Sequence, residues 1–337
     1  MIHIRTAEPS DKEIWNEIAL NSKDGTYAHT WEWAEIVADI FGYVKIMLVA
    51  EDRGKIVGIY SGFKNNIKLK LPGFINNLFN IFYSPIALTY DYGGPAVLDG
   101  YDTAYIELLK YMEMHARVNH VVTCQISPYL NEREKFFIDA GYTRRDRYTW
   151  MIPLDVSTEK LTQGMKKSMR GVKKAQKLGV TVRKAGPEDL KDIYRCLRDV
   201  DIRAAIGLPN IKFFYKLMEL YYPKDWVRFY VSEHDGEITG ASVIFTFNGL
   251  AVERYRGSYM KYRGLYSENA IIYRSLLDLH SEGFKLFDFG GLPSDKNSGI
   301  YFFKSRWGGH PKAIPWYKKD IHAAYSYMKG FGKFLKE

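Results

Sequence analysis

Cysteine is nearly missing from this chain. Only Cys124 and Cys196 occur in 337 residues. They stand far apart and outside any paired spacing, which excludes a disulfide framework and fits a reducing compartment. No apolar run approaches the roughly 18 residues of a membrane span. The opening stretch, MIHIRTAEPSDKE, carries charges where a signal peptide would place its apolar segment, so the expected location is the cytoplasm. Eight histidines are scattered, and neither CxxC nor HExxH appears, so no metal is expected. Gly-x-Ser-x-Gly and Walker loops are also missing, which leaves the chemistries they serve without machinery.

What remains is an ordinary globular composition, 46% hydrophobic and 26% charged, with 26 Tyr and 19 Phe to supply a core and favour strands. At roughly 100–200 residues per domain, the length predicts two domains. A net charge of +9 points to an anionic partner such as phosphate, nucleic acid or a lipid headgroup surface, without choosing among them. It is also compatible with simple solubility.

An internal echo fixes the organisation. Residues 47–63 read MLVAEDRGKIVGIYSGF and residues 229–245 read FYVSEHDGEITGASVIF. Aligning Gly58 with Gly240 also pairs Glu51 with Glu233 and Gly54 with Gly236. Both segments read as β-hairpins closed by a tight polar turn. Each is followed by a helical stretch (102–118 and 268–283) and a strand (120–126 and 284–290). Each is preceded by an amphipathic helix (11–22 and 188–203). One plan is used twice, so the fold class is α+β, with a boundary near 150–160: domains 1–153 and 154–337. Segment 165–177 puts Met165, Met169 and Val172 on one helical face. Lys166, Arg170, Lys173 and Lys177 line another, a track of cations for nucleic-acid phosphates, or else a solvated face.

The pairing of KKSMRGVKKAQKLGV with DFGG…SGIYFFKSRWGG resembles the Fem peptidyltransferase family and its wider FemAB-like relatives. HTWEWAEIV, YDYGGPAVLD and YRGS stand in the matching order. The resemblance implies two tandem GNAT-like domains, each a mixed central sheet flanked by helices. It implies transfer of an amino acid from aminoacyl-tRNA, or of an acyl group, to an amine of a cell-envelope or small-molecule acceptor, lipid- or nucleotide-linked. No cofactor is then required. Sustained heptads are lacking, so the chain looks like the armless branch. Where nucleotide-linked acceptors meet a lysine in relatives, the nearest residue here is Glu35. Two alternatives stand beside this reading: an acyl-CoA N-acyltransferase acting on a sugar or small amine, and a non-catalytic RNA-binding tandem module. The GNAT cofactor loop is degenerate, with Gly264 kept but Tyr266 and Ser267 where close backbone approach is needed, which disfavours coenzyme A.

The candidate site follows from the same segments. Asp288 falls near a strand end, and Gly290-Gly291 allow a sharp turn. Lys304 then stands in the cleft, where an ammonium can stabilise charge on the carbonyl and leaving oxygens of acyl transfer. The family's catalytic Phe-Lys pair matches Phe303-Lys304. Asp99, in GPAVLD, matches a family aspartate that contacts the acceptor, and is the expected general base; Asp91 and Asp288 are the other options. Arg254 and Arg256 alternate on one expected strand face. They either bind a phosphate or carboxylate as planar forks or pair with Glu253 and Glu268. Segment 64–86 mixes lysines with aromatics, as a lid or as a peripheral membrane contact.

Overall fold

A computed structural model describes residues 1–65, 86–88, 92–119, 121–129 and 132–321. The chain forms two compact units, Met1–Arg147 with Ile314–Glu337, and Tyr148–Ala313. The sequence placed the boundary at 153/154 and kept the C-terminal stretch in the second half. Here the break comes at 147/148, and the chain from Ile314 returns to the first unit.

In the first unit, β1 (Ile2–Thr6) leads to α1 (Lys12–Asn21) and α2 (Trp31–Phe41). The hairpin β2 (Val44–Asp52) and β3 (Lys55–Asn65) follows, then β4 (Ile86–Leu88) and β5 (Gly94–Val97). Next come α3 (Asp102–Val118), β6 (Thr123–Ile126), α4 (Glu134–Asp139) and the start of β7 (Thr143–Pro153). The second unit continues with α5 (Thr158–Gly164), α6 (Met169–Lys177) and β8 (Thr181–Lys184). Then come α7 (Leu190–Ala204), α8 (Ile211–Leu220), β9 (Val227–His234), β10 (Glu237–Phe247) and β11 (Leu250–Ser258). It closes with α9 (Ser267–Ser281), β12 (Leu286–Leu292) and α10 (Gly299–Ser305), before β13 (His310–Asp320).

In the first unit the strand order is β1-β2-β3-β4-β6-β13, with β5 also on β3; in the second it is β7-β12-β11-β10-β9-β8. Each is antiparallel except for one parallel pair, β4 with β6 and β11 with β12. Each has its own core. The first gathers Tyr105, Leu108 and Met112 of α3 against Leu48, Tyr60 and Ile126. The second gathers Ile272, Leu276 and Leu279 of α9 against Tyr230, Ile244 and Phe287.

The duplication extends to details. Both hairpins turn through a residue and a glycine at positive φ, Arg53-Gly54 and Asp235-Gly236, the geometry that suits the strand twist. Both carry a bulge at the equivalent place: Ala50 pairs Gly58 while Glu51 pairs Ile56, and Ser232 pairs Gly240 while Glu233 pairs Ile238. Arg5 grips Asp11 and Glu51 just as Arg183 grips Asp189 and Glu233.

Candidate active site

The second unit supplies a buried polar cluster where two strands part. β11 and β12 pair in parallel only from Leu250/Leu286 to Val252/Asp288. Past that point Gly290, at φ +79°, turns β12, and a methyl group there would lie 3.1 Å from the Glu253 carbonyl. Asp288 is fully buried. One carboxylate oxygen accepts the Thr149 hydroxyl and, at 2.8 Å, the Gly290 N–H.

Lys304 lies on α10, whose start is capped by the Ser298 hydroxyl. It is only 7% exposed, and its ammonium donates to the carbonyls of Gly290 and Gly291, each at 2.9 Å. The Phe289 ring lies 5.4 Å from Nζ. Burial first, then the Arg256 charge, pushes the ammonium pKa down to about 8, against the pull of Glu253 and Asp288. Two of its three hydrogens are thus committed, and one is left for chemistry.

Glu253 is buried beside it. It accepts the Ser242 hydroxyl at 2.9 Å and pairs with Arg256. Burial raises its pKa, which Arg256 opposes. Arg256 also donates to Glu268 at 3.1 Å and lies over the rings of Phe289 and Phe303, at 4.9 and 5.1 Å. Of the two roles open to Arg256, pairing with Glu253 and Glu268 is the one the structure shows. Arg254 does not share its face by simple alternation. Tyr255 pairs Val243 and Glu253 pairs Ile244, so Arg254 is the extra residue of a bulge.

The basic stripe is present, and Lys166, Arg170, Lys173 and Lys177 are all exposed. The segment is not one helix: a 3₁₀ turn, Met165–Lys167, precedes α6. Only Arg170 of the four lines a groove of about 520 Å³, with Lys174, Arg306, Tyr266, Phe302 and Phe303 among its walls. Lys174 donates to the Tyr266 hydroxyl at 3.1 Å, and Arg306 lies over Phe302. Gly171 permits this closeness, because a methyl group there would meet Asn269 at 2.8 Å. The sequence reading missed Lys174 and Arg306; Arg306 stands beside Trp307, which was an available signal, whereas Lys174 meets Tyr266 only through the fold.

Asp99 belongs to the first unit, where its side chain is 67% exposed and pairs with Lys23 at 3.3 Å. Asp91 and most of segment 64–86 fall outside the described residues. Among the described residues no group of three His, Cys, Asp or Glu is placed to hold a metal, and no helix is long and apolar enough to cross a membrane.

Residues 134–237 match the model of the FemAB family. The chain is FemAB-like across this segment. The chain also shares its fold with FemX, at 14% identity over 94% of this chain and 96% of that one, with a TM-score of 0.75. L-PGS from Bacillus licheniformis gives 13% identity, 98% and 97% coverage and a TM-score of 0.61. A tandem GNAT protein from the clavulanic acid biosynthesis pathway gives 11% identity, 96% and 99% coverage and a TM-score of 0.54. These likenesses establish a mixed α+β fold of the tandem GNAT kind. A sequence search of curated proteins gives no match.

Proposed function

We propose that this FemAB-like chain is an acyltransferase that forms an amide bond, with aminoacyl-tRNA as donor and a cell-envelope amine as acceptor. The observation that carries this is the Lys304 ammonium, buried where β11 and β12 part and fixed by two adjacent carbonyls. In the reaction, the acceptor nitrogen attacks the donor carbonyl carbon, the C–N bond forms and the ester C–O bond breaks. Negative charge develops first on the carbonyl oxygen and then on the departing ribose oxygen. An ammonium held in a low-dielectric site stabilises both without having to reorganise. With a pKa brought down to about 8, it is also suited to protonate the leaving oxygen near neutral pH. The acceptor nitrogen must lose a proton, and Asp99, exposed and paired with Lys23, is the proposed base.

The groove lined by Arg170, Lys174 and Arg306 is the proposed donor site. Cations for phosphates and open rings for bases are the combination single-stranded nucleic acid uses. Against a coenzyme A pyrophosphate at the start of α9 stands Glu268, which puts a carboxylate in that first turn. Filter binding with charged tRNA tests the reading. Replacing Arg170 and Lys174 by Gln is expected to weaken binding and lower the slope of log affinity against log salt by about one unit for each phosphate left without its cation. Saturable acyl-CoA binding without tRNA binding would overturn the donor assignment.

A further inference from the structure

The outer face of α7 changes character along its length. Arg195, Arg198 and Ile202 follow one another at helical spacing, and beyond them the chain leaves cations for aliphatic groups. Ile202 is 76% exposed, Ile206 41% and Met260, just after β11, 50%. Loose ends do not explain this exposure. Ala205 closes the helix in the left-handed region at φ +46°, the Asp201 carboxylate accepts the Leu208 N–H at 3.1 Å, and the Asn210 side chain caps α8. The loop is braced and holds Ile206 outward. The end of β11 is tied to the same tip: Arg203 donates to the Ser258 carbonyl at 2.9 Å, and the Met260 N–H donates to Asp199 at 3.2 Å.

Cations exceed acids at this tip. Asp199 is paired with Arg203 and the Asp201 carboxylate accepts the Leu208 N–H, whereas Arg198, Lys212 and Arg263 are exposed. Between α7 and the segment after β11 opens a pocket of about 370 Å³. Arg203, Met260 and Arg263 line it together with Glu268, which pairs with Arg256. We infer that this tip docks on an anionic lipid surface. Ile202, Ile206 and Met260 enter the boundary of the acyl chains, while Arg198, Lys212 and Arg263 meet headgroup phosphates, the division of labour of an interfacial amphipathic element. A protein partner would have to present acids to these cations, and a second copy of this tip would bring cations against cations. The inference does not depend on which group is transferred.

Co-sedimentation of the full chain with phosphatidylcholine vesicles, with and without phosphatidylglycerol, tests it. Binding is expected only to the vesicles containing phosphatidylglycerol. Ile202→Ser with Ile206→Ser should weaken it about tenfold, and Arg263→Gln about fivefold. All three side chains are exposed, and unchanged circular dichroism would confirm the fold. Absence of binding, equal binding to neutral vesicles, or undiminished binding by the double Ser variant would each overturn the inference. So would light scattering that shows the Ile variants only break up a self-associated form.

Discussion

An ammonium is expensive to bury, and Lys304 bears that cost in a setting that fixes its position. Its pKa lies near 8, against an ordinary value of 10.5. Below about 8 the charge is present; above it the charge is lost. A transfer reaction that needs the ammonium should therefore fall as pH rises through about 8, in a pH–rate profile at saturating donor. Stability runs the other way: between about 8 and 10.5 the unfolded chain holds a proton the folded chain has released, so the fold gains as pH rises. A rate that climbs through this window would contradict the role given to the charged form. At this scale the sequence was legible where chemistry and backbone coincide, as in Asp288, Gly290-Gly291 and Phe303-Lys304. Thr149 was not, because the partner of a buried carboxylate 139 residues away leaves no local mark.

The elements explain why the cluster exists at all. The parallel pair β11/β12 stops at Val252/Asp288, and the left-handed Gly290 lets β12 turn so that two carbonyls face one ammonium. Gly290→Ala should cost about 1–2 kcal/mol for the backbone region alone. It should lower the transfer rate further, since the added methyl meets the Glu253 carbonyl. Thermal unfolding and a rate measurement on one preparation check this; a variant as active and stable as the parent would show that the turn is not tight. Hairpins and long helices could be read from the sequence because Asp-Gly turns and apolar spacing are local signals. A second sign of duplication was available and unread: Arg5-x-Ala7-x-Pro9-x-Asp11 returns as Arg183-x-Ala185-x-Pro187-x-Asp189. The bulge at Arg254 and the break at Ser168 were not legible, since both depend on packing.

For the molecule, two units built on one plan account for the tandem pattern, and the fold likeness to FemX spans nearly the whole chain. The return of the chain to the first unit at Ile314 was beyond sequence reading, because the pairing of Tyr317–Asp320 with Thr123–Ile126 joins residues remote in the chain. Net charge of +9 is partly explained by where it gathers: a groove with Arg170, Lys174 and Arg306, and a tip with Arg198, Lys212 and Arg263. The central claim is that Lys304 supplies the charge for transfer. Lys304→Met keeps the length of the side chain and removes that charge, while Arg256, Ser242 and Thr149 remain to hold Glu253 and Asp288. The most direct measurement is the single-turnover rate at which label passes from aminoacyl-tRNA to amine-bearing envelope precursors, in parent and variant. The account predicts a loss of at least about 100-fold in the variant, with binding of the charged tRNA and the melting temperature preserved; transfer at the parental rate would contradict it.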